Sequence, residues 1–197
     1  CSRDKMSKEM SMTTEEFVER AVFVHGDRYD YSKVNYINSN YKVDIVCKKH
    51  NFLFRQDPTS HLSGCGCPKC NASKMELRIW RMLEINGIGQ INQKTFEWLK
   101  YKSSLYLDFY LPEYNLAIEC QGLQHFGIVK KGKMAFDNLD EIFVRDKVKY
   151  ELCKEHGIKI LYFCNEDTKY IPKDYFDEIY HTQGELMQEI KKYKKSK

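Results

Sequence analysis

Two carboxylates in the middle of the chain are the residues whose type and spacing most clearly indicate chemistry. Asp108 and Glu119 are eleven residues apart. Each lies inside an apolar run, and the turn-rich segment 112–115 between the runs predicts a β-hairpin. A carboxylate within a buried strand is costly without a partner, and two neighbouring carboxylates repel each other unless a cation lies between them. Oxygen ligands suit Mg²⁺ or Mn²⁺, so the pattern indicates a divalent-metal site of the kind used in phosphodiester hydrolysis.

Other residues could complete this site. The backbone carbonyl of Cys120 is expected to face the same strand edge and to provide a third metal ligand. Asp146 and Lys149 share one face of a predicted helix, so Lys149 could supply positive charge; an ordinary exposed ion pair between the two is an equally simple interpretation. Glu76 could bind the metal through water or accept a proton, but the capping box that it forms with Ser73 also explains a glutamate there.

The elements that must position these residues follow a regular order. A capping box at 13–16 predicts a helix to about residue 24, and strands are predicted at 43–47 and 52–54. A second capping box at 73–76 predicts a helix to about residue 86. It is followed by a strand at 91–96, the hairpin, a helix from about 139 to 156, a strand at 158–163, and helices at 173–180 and 183–194. From residue 73 to residue 163 the predicted order is therefore αβββαβ.

A cysteine and histidine cluster in the first third of the chain indicates a metal centre. Two residues separate Cys47 from His50 at a predicted turn, two residues separate Cys67 from Cys70 in a knuckle, and 16 residues separate the two pairs. Such spacing lets four side chains surround one Zn²⁺ tetrahedrally, with no position open for catalysis. Cys65 could replace His50 as the fourth ligand. The alternative is a set of free cysteines in a loop.

The remaining composition excludes some classes of protein. The mean hydropathy is −0.63 and no apolar run reaches membrane length, so no transmembrane helix is expected. The first ten residues are polar and charged, unlike a signal peptide, and residues 1–12 are predicted to be disordered. Because the other cysteines are scattered, the thiols favour a metal site in an intracellular, reducing compartment such as the cytoplasm, nucleoid or nucleus over a disulfide framework.

Charge distribution is more informative than the net charge of +4, which is too small to establish a nucleic-acid partner. Basic side chains that could contact phosphates lie around the knuckle and in a later loop. They are Lys48, Lys49, Arg55, Lys69, Lys130, Lys131 and Lys133. The lysine-rich tail 191–197 could also contact phosphates, although a solvated helix end that complements the helix dipole is the simpler interpretation.

Residues 73–164 resemble the PD-(D/E)XK nuclease superfamily, and within it the very-short-patch-repair-type endonucleases and related phage and mobile-element nucleases. The resemblance is carried by Glu76, Asp108-Phe109, Ile118-Glu119 with Gly122 and His125, and Arg145-Asp146 with Lys149. It implies a restriction-endonuclease-like core, Mg²⁺ on Asp108 and Glu119, and products with 5′-phosphate and 3′-hydroxyl ends. It also places His125 near the reacting water, where a histidine could act as general base or acid.

Gln121 departs from the superfamily pattern, which usually has a lysine two residues after the second acid. Glutamine can hydrogen-bond a water but supplies no positive charge. The segment 17–70 resembles the small zinc modules found beside phage and mobile-element nucleases, and that resemblance implies DNA binding. In that module His25 and His61 are expected to be structural hydrogen-bonding residues and not metal ligands.

The sequence therefore predicts an α/β (α+β) protein with a zinc module at 13–72 and a nuclease domain at 73–197. The expected activity is Mg²⁺- or Mn²⁺-dependent cleavage of DNA, most readily double-stranded, by a homing-type, nicking or repair enzyme, with structural Zn²⁺ in the docking module. One alternative is an inactive nuclease fold that only binds nucleic acid. Others are a structure-specific or RNA-directed nuclease, a homodimer, and a subunit of a larger assembly.

Overall fold

The structure is a computed structural model that describes residues 12–122, 139–164 and 179–193. The chain divides into two compact units, with the boundary between Ala72 and Ser73. Each unit combines helices with its own β-sheet. The mixed α/β class predicted from the sequence is therefore confirmed.

The first unit contains three helices, a 3₁₀ turn and three strands. In chain order these are α1 (Thr14–His25), the turn Gly26–Arg28, β1 (Tyr29–Asp30), β2 (Val43–Cys47), β3 (Phe52–Gln56), α2 (Pro58–Leu62) and α3 (Pro68–Asn71). Helix α1 begins at the predicted capping box, in which the Thr13 side chain and Glu16 each bond the other's backbone N–H.

The three strands form an antiparallel sheet in the order β1-β2-β3, and Ile45 lies opposite Phe54. Strand β2 alternates between buried and partly exposed residues, as expected for a strand with one face on a core. That core consists of Phe17, Ala21, Tyr29, Val43, Ile45, Cys47, Phe54 and Cys67. Because this core is small and includes two of the predicted zinc ligands, binding of an ion by those ligands would be coupled to the packing of the core.

Up to residue 163 the second unit follows the predicted order of elements. Its helices and strands are α4 (Lys74–Ile85), β4 (Ile91–Lys94), β5 (Leu107–Leu111), β6 (Leu116–Cys120), α5 (Leu139–Glu155), β7 (Lys159–Phe163), β8 (Ile179–Tyr180) and α6 (Gln183–Lys192). Gly87 and Gly157, which follow α4 and α5, have positive φ angles of 65° and 70°. A glycine adopts this conformation after a helix at little cost.

A five-stranded mixed sheet in the order β4-β5-β6-β7-β8 forms the centre of this unit. Strands β4, β5 and β6 are antiparallel, whereas β7 and β8 run parallel to β6. Strands β5 and β6 are the predicted hairpin, and Phe109 lies opposite Ile118. One step further along this ladder, Asp108 and Glu119 lie together at the end of the hairpin away from the turn.

Strands β6 and β7 are the most deeply buried strands among the described residues, since four of the five residues in each are buried. The core on one side of the sheet consists of Leu99, Leu105, Leu107, Ala117, Cys153, Ile158, Ile160, Tyr162 and Cys164. Within the described residues, Glu119 is one of six polar or charged residues that are buried. The fold thus places a carboxylate where water does not compensate its charge.

Two details differ from the sequence-based prediction. Strand β4 ends at Lys94 and not at residue 96. The helix predicted at 173–180 is wrong at its end, because Ile179 and Tyr180 form β8 and pair with β7; the rest of that segment lies outside the described residues. Two residues are too few to give a strand pattern in the sequence. The predicted disordered start, residues 1–11 in particular, also lies outside the described part.

None of the helices in the described residues is long and apolar enough to cross a membrane.

Candidate active site and metal centre

Asp108 and Glu119 are held by hydrogen bonds that cross between the two hairpin strands. The backbone N–H of Asp108 donates to Glu119 Oε1 at 3.1 Å, and the N–H of Cys120 donates to Asp108 Oδ2 at 2.9 Å. From the neighbouring strand β4, Gln93 Nε2 donates to Asp108 Oδ1 at 3.2 Å. Both carboxylates are therefore fixed in position by the backbone and by one amide, as a preorganised metal site requires.

Lys149 neutralises the buried carboxylate of Glu119. Its Nζ lies 2.7 Å from Glu119 Oε2, and the two side chains are only 14% and 5% exposed. The alternative of an ordinary exposed ion pair at this lysine is therefore wrong. Helix α5 packs against the sheet, so Lys149 points to β6, and Asp146 on the same helix is also buried.

Burial changes the protonation of the whole group. It raises the pKa of Glu119 to about 7, because removal from water outweighs the attraction of Lys149. Burial likewise raises the pKa of Asp108. For Lys149 burial alone would lower the pKa, but the charges of Glu119, Asp108 and Asp146 outweigh it and raise the pKa. The ammonium therefore remains charged at neutral pH, while Glu119 is the group that can exchange a proton there.

Gln121 lies beside this pair and has an unused acceptor. Its side chain is 2% exposed, and its backbone N–H donates to Phe163 O at 2.8 Å. Its Oε1 is buried without a hydrogen-bond partner among the residues that the structure describes. A buried amide oxygen without a donor is unfavourable by about 1–3 kcal/mol, so a ligand or a rearranged side chain that donates to it would be stabilised.

Each candidate site lies beside a cavity. The cavity beside the cysteine and histidine cluster has a volume of about 490 Å³, and the cavity beside the two carboxylates has a volume of about 590 Å³. Its lining includes Glu76, Gln93, Asp108, Glu119, Cys120, Gln121, Arg145, Asp146 and Lys149. Glu76 forms the predicted capping box, in which its Oε2 accepts from the Ser73 N–H at 2.7 Å. The two interpretations of Glu76 are thus compatible, since the capping glutamate also lines the cavity.

The donor set of this cavity fits a hard divalent cation. Two carboxylates on adjacent strands offer oxygen atoms of the kind that such an ion binds, and Glu76 is a third acid at the cavity wall. Mg²⁺ is commonly bound by one or two carboxylates and otherwise by water and phosphate oxygens. The buried acceptor of Gln121 provides a further polar contact for bound water. Asp108 and Glu119 would be the residues that hold the ion.

The four predicted zinc ligands lie together in the first unit. The ligand atoms of Cys47, His50, Cys67 and Cys70 are all within 4.8 Å of one another. His50 Nδ1 is 3.6, 3.7 and 3.5 Å from the three sulfur atoms, and the Sγ atoms of Cys47 and Cys70 are 3.8 Å apart. A tetrahedron with Zn–ligand distances of about 2.0–2.3 Å has edges of about 3.3–3.8 Å, so this cluster could hold a structural zinc ion.

The electrostatics of the cluster favour an ion over four free side chains. Burial lowers the pKa of His50, which keeps its imidazole neutral and able to bind a metal. Burial raises the pKa of the Cys67 thiol, because an unpaired thiolate would be costly there. A metal cation removes that cost. Cys65 is exposed and lies outside the cluster, so the structure favours His50 over Cys65 as the fourth ligand.

Hydrogen bonds of His25 and His61 stabilise the knuckle that contains Cys65 and Cys67. His61 is fully buried, and its Nδ1 lies 2.8 Å from Gln56 Oε1 and 3.1 Å from the Cys65 carbonyl, so Nδ1 carries the proton. Its Nε2 then accepts from the Tyr31 hydroxyl at 3.1 Å, and His25 Nε2 donates to the His61 carbonyl at 2.8 Å. Burial lowers the pKa of His61 to about 4. Both histidines are structural, as the sequence predicted.

Gly66 should be intolerant of a side chain, which gives a first prediction. A Cβ there would lie closer than van der Waals contact to the Tyr29 hydroxyl, which is buried and accepts from the Cys67 N–H at 2.9 Å. We expect Gly66→Ala to destabilise the first unit by about 1–3 kcal/mol. The measurement is zinc release during urea unfolding. Because Tyr29→Phe removes the clashing oxygen, the alanine should cost less in that background; an equal cost in both backgrounds would contradict this account.

The predicted phosphate-binding residues of the first unit have separate surroundings. Lys48 and Lys49 line the cavity of about 490 Å³ beside the metal cluster, together with Arg28, and Lys48 forms an ion pair with Asp27. Arg28 was not predicted from the sequence, because it precedes the short strand β1 far from the cysteine pairs. Lys48, Lys49 and Arg28 are all exposed and could therefore reach a phosphate.

The other two predicted contacts of this unit point to neighbouring side chains. Arg55 Nε lies 3.0 Å from Asp44 Oδ1 across the β2–β3 pair. Lys69 Nζ lies 4.5 Å from the centre of the Phe52 ring. The structure thus brings Lys48 and Lys49 to one cavity but not Arg55 or Lys69. Other predicted residues, namely His125, Lys130, Lys131 and Lys133, lie outside the described residues.

Comparison with known proteins extends only to part of the chain. Residues 10–71 match a family described as a protein of unknown function, DUF723. Three uncharacterized proteins of Acanthamoeba polyphaga mimivirus are also similar to the chain. They are 38% identical over 69 residues, 37% over 68 and 35% over 94, which is 34%, 34% and 45% of this chain. The chain spans 32%, 25% and 34% of their lengths, about a third or less.

Proposed function

We propose that this chain is a divalent-metal-dependent endonuclease of the PD-(D/E)XK type that hydrolyses phosphodiester bonds in DNA. The observation that carries the proposal is the pair Asp108 and Glu119, cross-bonded on adjacent strands at a cavity and accompanied by the buried Lys149. The described elements α4 to β7 have the αβββαβ order that the resemblance implies. A buried acid beside a partly buried one is otherwise hard to explain in a β-sheet core.

Each side chain of the cavity has a separate role in this proposal. Asp108 and Glu119 would hold a divalent ion, which would stabilise negative charge on the phosphate and lower the pKa of a water. Lys149 offers a positive charge to the phosphate oxygens, and Gln93 keeps Asp108 in position. Gln121 offers a buried acceptor to a donor inside the cavity. His125 remains the predicted general base or acid.

The first unit is the proposed docking module for double-stranded DNA. Its support is the exposed Lys48, Lys49 and Arg28 around one cavity beside a metal cluster. Contacts between lysine or arginine and phosphate give affinity without sequence specificity and weaken as salt increases. A homodimer would allow both strands to be cut, whereas one active site alone would nick. The similarity to mimivirus proteins favours a viral or mobile-element setting.

One observation favours a different function. Gln121 carries no charge where the nuclease motif usually has a lysine, so an inactive nuclease fold that binds nucleic acid is the second candidate. Incubation of the zinc-loaded protein with supercoiled plasmid, single-stranded DNA and RNA, with and without Mg²⁺ or Mn²⁺, separates the two. Metal-dependent cleavage of plasmid supports the proposal. DNA binding without cleavage of any substrate would support the second candidate, and cleavage of RNA alone would change the substrate class.

The pH dependence of cleavage provides a second prediction. Burial raises the pKa of Glu119 to about 7. Below that pH a proton occupies the ligand, so apparent metal affinity should fall by up to about tenfold for each pH unit. At limiting Mg²⁺ we therefore expect the initial rate to increase as the pH rises through neutrality. At higher Mg²⁺ the midpoint should move to lower pH. A midpoint of the pH profile that does not change with Mg²⁺ concentration would contradict the assignment of Glu119 as a metal ligand.

A further inference from the structure

The hydrogen bonds of Asp108 and Glu119 show which side chain neutralises their negative charge. Each of the four carboxylate oxygens accepts from a different donor. The donors are Gln93 Nε2 and the Cys120 N–H for Asp108, and the Asp108 N–H and Lys149 Nζ for Glu119. Three of these donors are neutral amides, so the charge of the pair is offset by Lys149 alone among them. The Lys149 ammonium therefore occupies the place beside Glu119 Oε2 that a metal ion bound to this carboxylate would take.

An ammonium and a divalent ion cannot both remain close to one buried carboxylate at low cost. Like charges a few ångströms apart in a site of low dielectric constant repel each other strongly, and a divalent ion repels an ammonium twice as strongly as a monovalent one does. Lys149 has a four-carbon stem and a side chain that is 14% exposed, so a turn about its own torsions can move the ammonium without moving α5. A displaced ammonium in this cavity then needs another acceptor, because a buried unpaired charge is very costly.

The acids Asp146 and Glu76 that line the same cavity already have interactions, but the cavity also contains an acceptor that has none among the described residues. Gln121 Oε1 is buried and has no partner among the described residues, and both Gln121 and Lys149 line the same cavity. The unused acceptor of Gln121 and the displaced ammonium of Lys149 therefore complement each other. The oxygen lacks a donor among the described residues while Lys149 is on Glu119, and the lysine would lack an acceptor once a metal had taken Glu119.

We infer that Lys149 is an exchangeable internal cation, which neutralises Glu119 in the metal-free protein and moves to the side-chain oxygen of Gln121 when a divalent ion binds. The inference rests on the proposed metal site at Asp108 and Glu119 but does not require catalysis. It explains why a neutral glutamine is compatible with a charged active site. Gln121 does not replace the lysine that the motif usually has at this position. Its side-chain oxygen instead accepts a hydrogen bond from Lys149, which lies on α5.

A double-mutant cycle in metal affinity tests the exchange. Mn²⁺ binding to the zinc-loaded protein is measured by calorimetry for the wild type, Lys149→Met, Gln121→Leu and the double variant, at two pH values so that proton competition on Glu119 can be subtracted. Lys149→Met should bind Mn²⁺ about tenfold more tightly, since the competing cation is gone. Gln121→Leu should bind about fivefold more weakly, because the displaced ammonium loses its acceptor.

The decisive result is the coupling between the two changes. In the Lys149→Met background, Gln121→Leu should alter Mn²⁺ affinity by less than about twofold. An equal effect of Gln121→Leu in both backgrounds would overturn the exchange, as would unchanged or weaker binding by Lys149→Met. If Lys149→Met does not fold, Lys149→Gln serves instead, since it keeps a hydrogen-bond donor for Glu119 without the charge.

The same experiment separates this inference from the proposed function. Coupled Mn²⁺ affinities in a protein that cleaves no nucleic acid would sustain the exchange and defeat the nuclease. Cleavage of nucleic acid together with additive effects of the two substitutions on Mn²⁺ affinity would sustain the nuclease and defeat the exchange. Absence of Mn²⁺ binding in all four proteins would defeat both, because the carboxylates would then hold no metal.

Discussion

Replacing either hairpin carboxylate by its amide is expected to reduce metal-dependent cleavage by at least about a thousandfold. Asp108→Asn and Glu119→Gln keep the size of the side chain and remove a charged metal ligand. Each carboxylate is held by two donors, so neither can be replaced in its position by a neighbouring acid. The measurement is the initial rate of nicking of supercoiled plasmid at saturating Mg²⁺.

Two controls make this prediction specific. Glu113→Gln, an exposed position in the turn of the same hairpin, should leave the rate unchanged. Glu119→Gln also leaves Lys149 without its charged partner in a buried site, which itself costs stability. Asp108→Asn does not break that ion pair, so loss of activity in a folded Asp108→Asn protein cannot be attributed to unfolding. Activity in Asp108→Asn close to that of the wild type would contradict the assignment of the metal site.

Removing one thiol of the cysteine cluster is expected to unfold the first unit. Cys67 is fully buried in the hydrophobic core as well as in the metal cluster, so Cys67→Ser removes a ligand from a module of about 60 residues that has little other core. Structural zinc contributes directly to folding. We expect about one zinc ion per chain in the wild type and a large loss of zinc in the variant. Metal analysis and circular dichroism measure the two effects.

Cys65→Ser is the matched control, because Cys65 lies two residues away, is exposed and is outside the cluster. It should retain zinc and fold normally. Zinc loss in Cys65→Ser with retention in His50→Ala would show that Cys65, and not His50, is the fourth ligand. Full zinc content in Cys67→Ser would contradict the cluster as a whole. DNA binding should decrease in Cys67→Ser if the first unit is the docking module.

The features that could be predicted from the sequence depend on residues close together in the chain. The hairpin was predictable because two apolar runs flank a short turn, and its register then follows from the length of that turn. The metal cluster was predictable because each pair of ligands has a two-residue spacing. Capping boxes located the starts of α1 and α4 within one residue, since they depend on two side chains three positions apart.

The features that could not be predicted depend on contacts between distant parts of the chain. Lys149 reaches Glu119 across 30 residues of sequence, and nothing local decides whether a helical lysine faces solvent or a sheet. Gln93 contacts Asp108 from a neighbouring strand, where it adopts a positive φ of 49°. Its place depends on the β4 register, which the sequence pattern does not set. Strand β8 exists through pairing with β7 and has no sequence pattern of its own.

The measurement that tests the central claim most directly is the rate of plasmid nicking as a function of Mn²⁺ concentration, with the zinc-loaded wild type and Asp108→Asn compared in parallel. The account predicts a rate that saturates with Mn²⁺ in the wild type, is absent in excess chelator, and is lost in Asp108→Asn although the variant is folded and still binds DNA. Equal rates in the two proteins, or a wild-type rate that does not depend on the divalent ion, would contradict a catalytic metal site at Asp108 and Glu119.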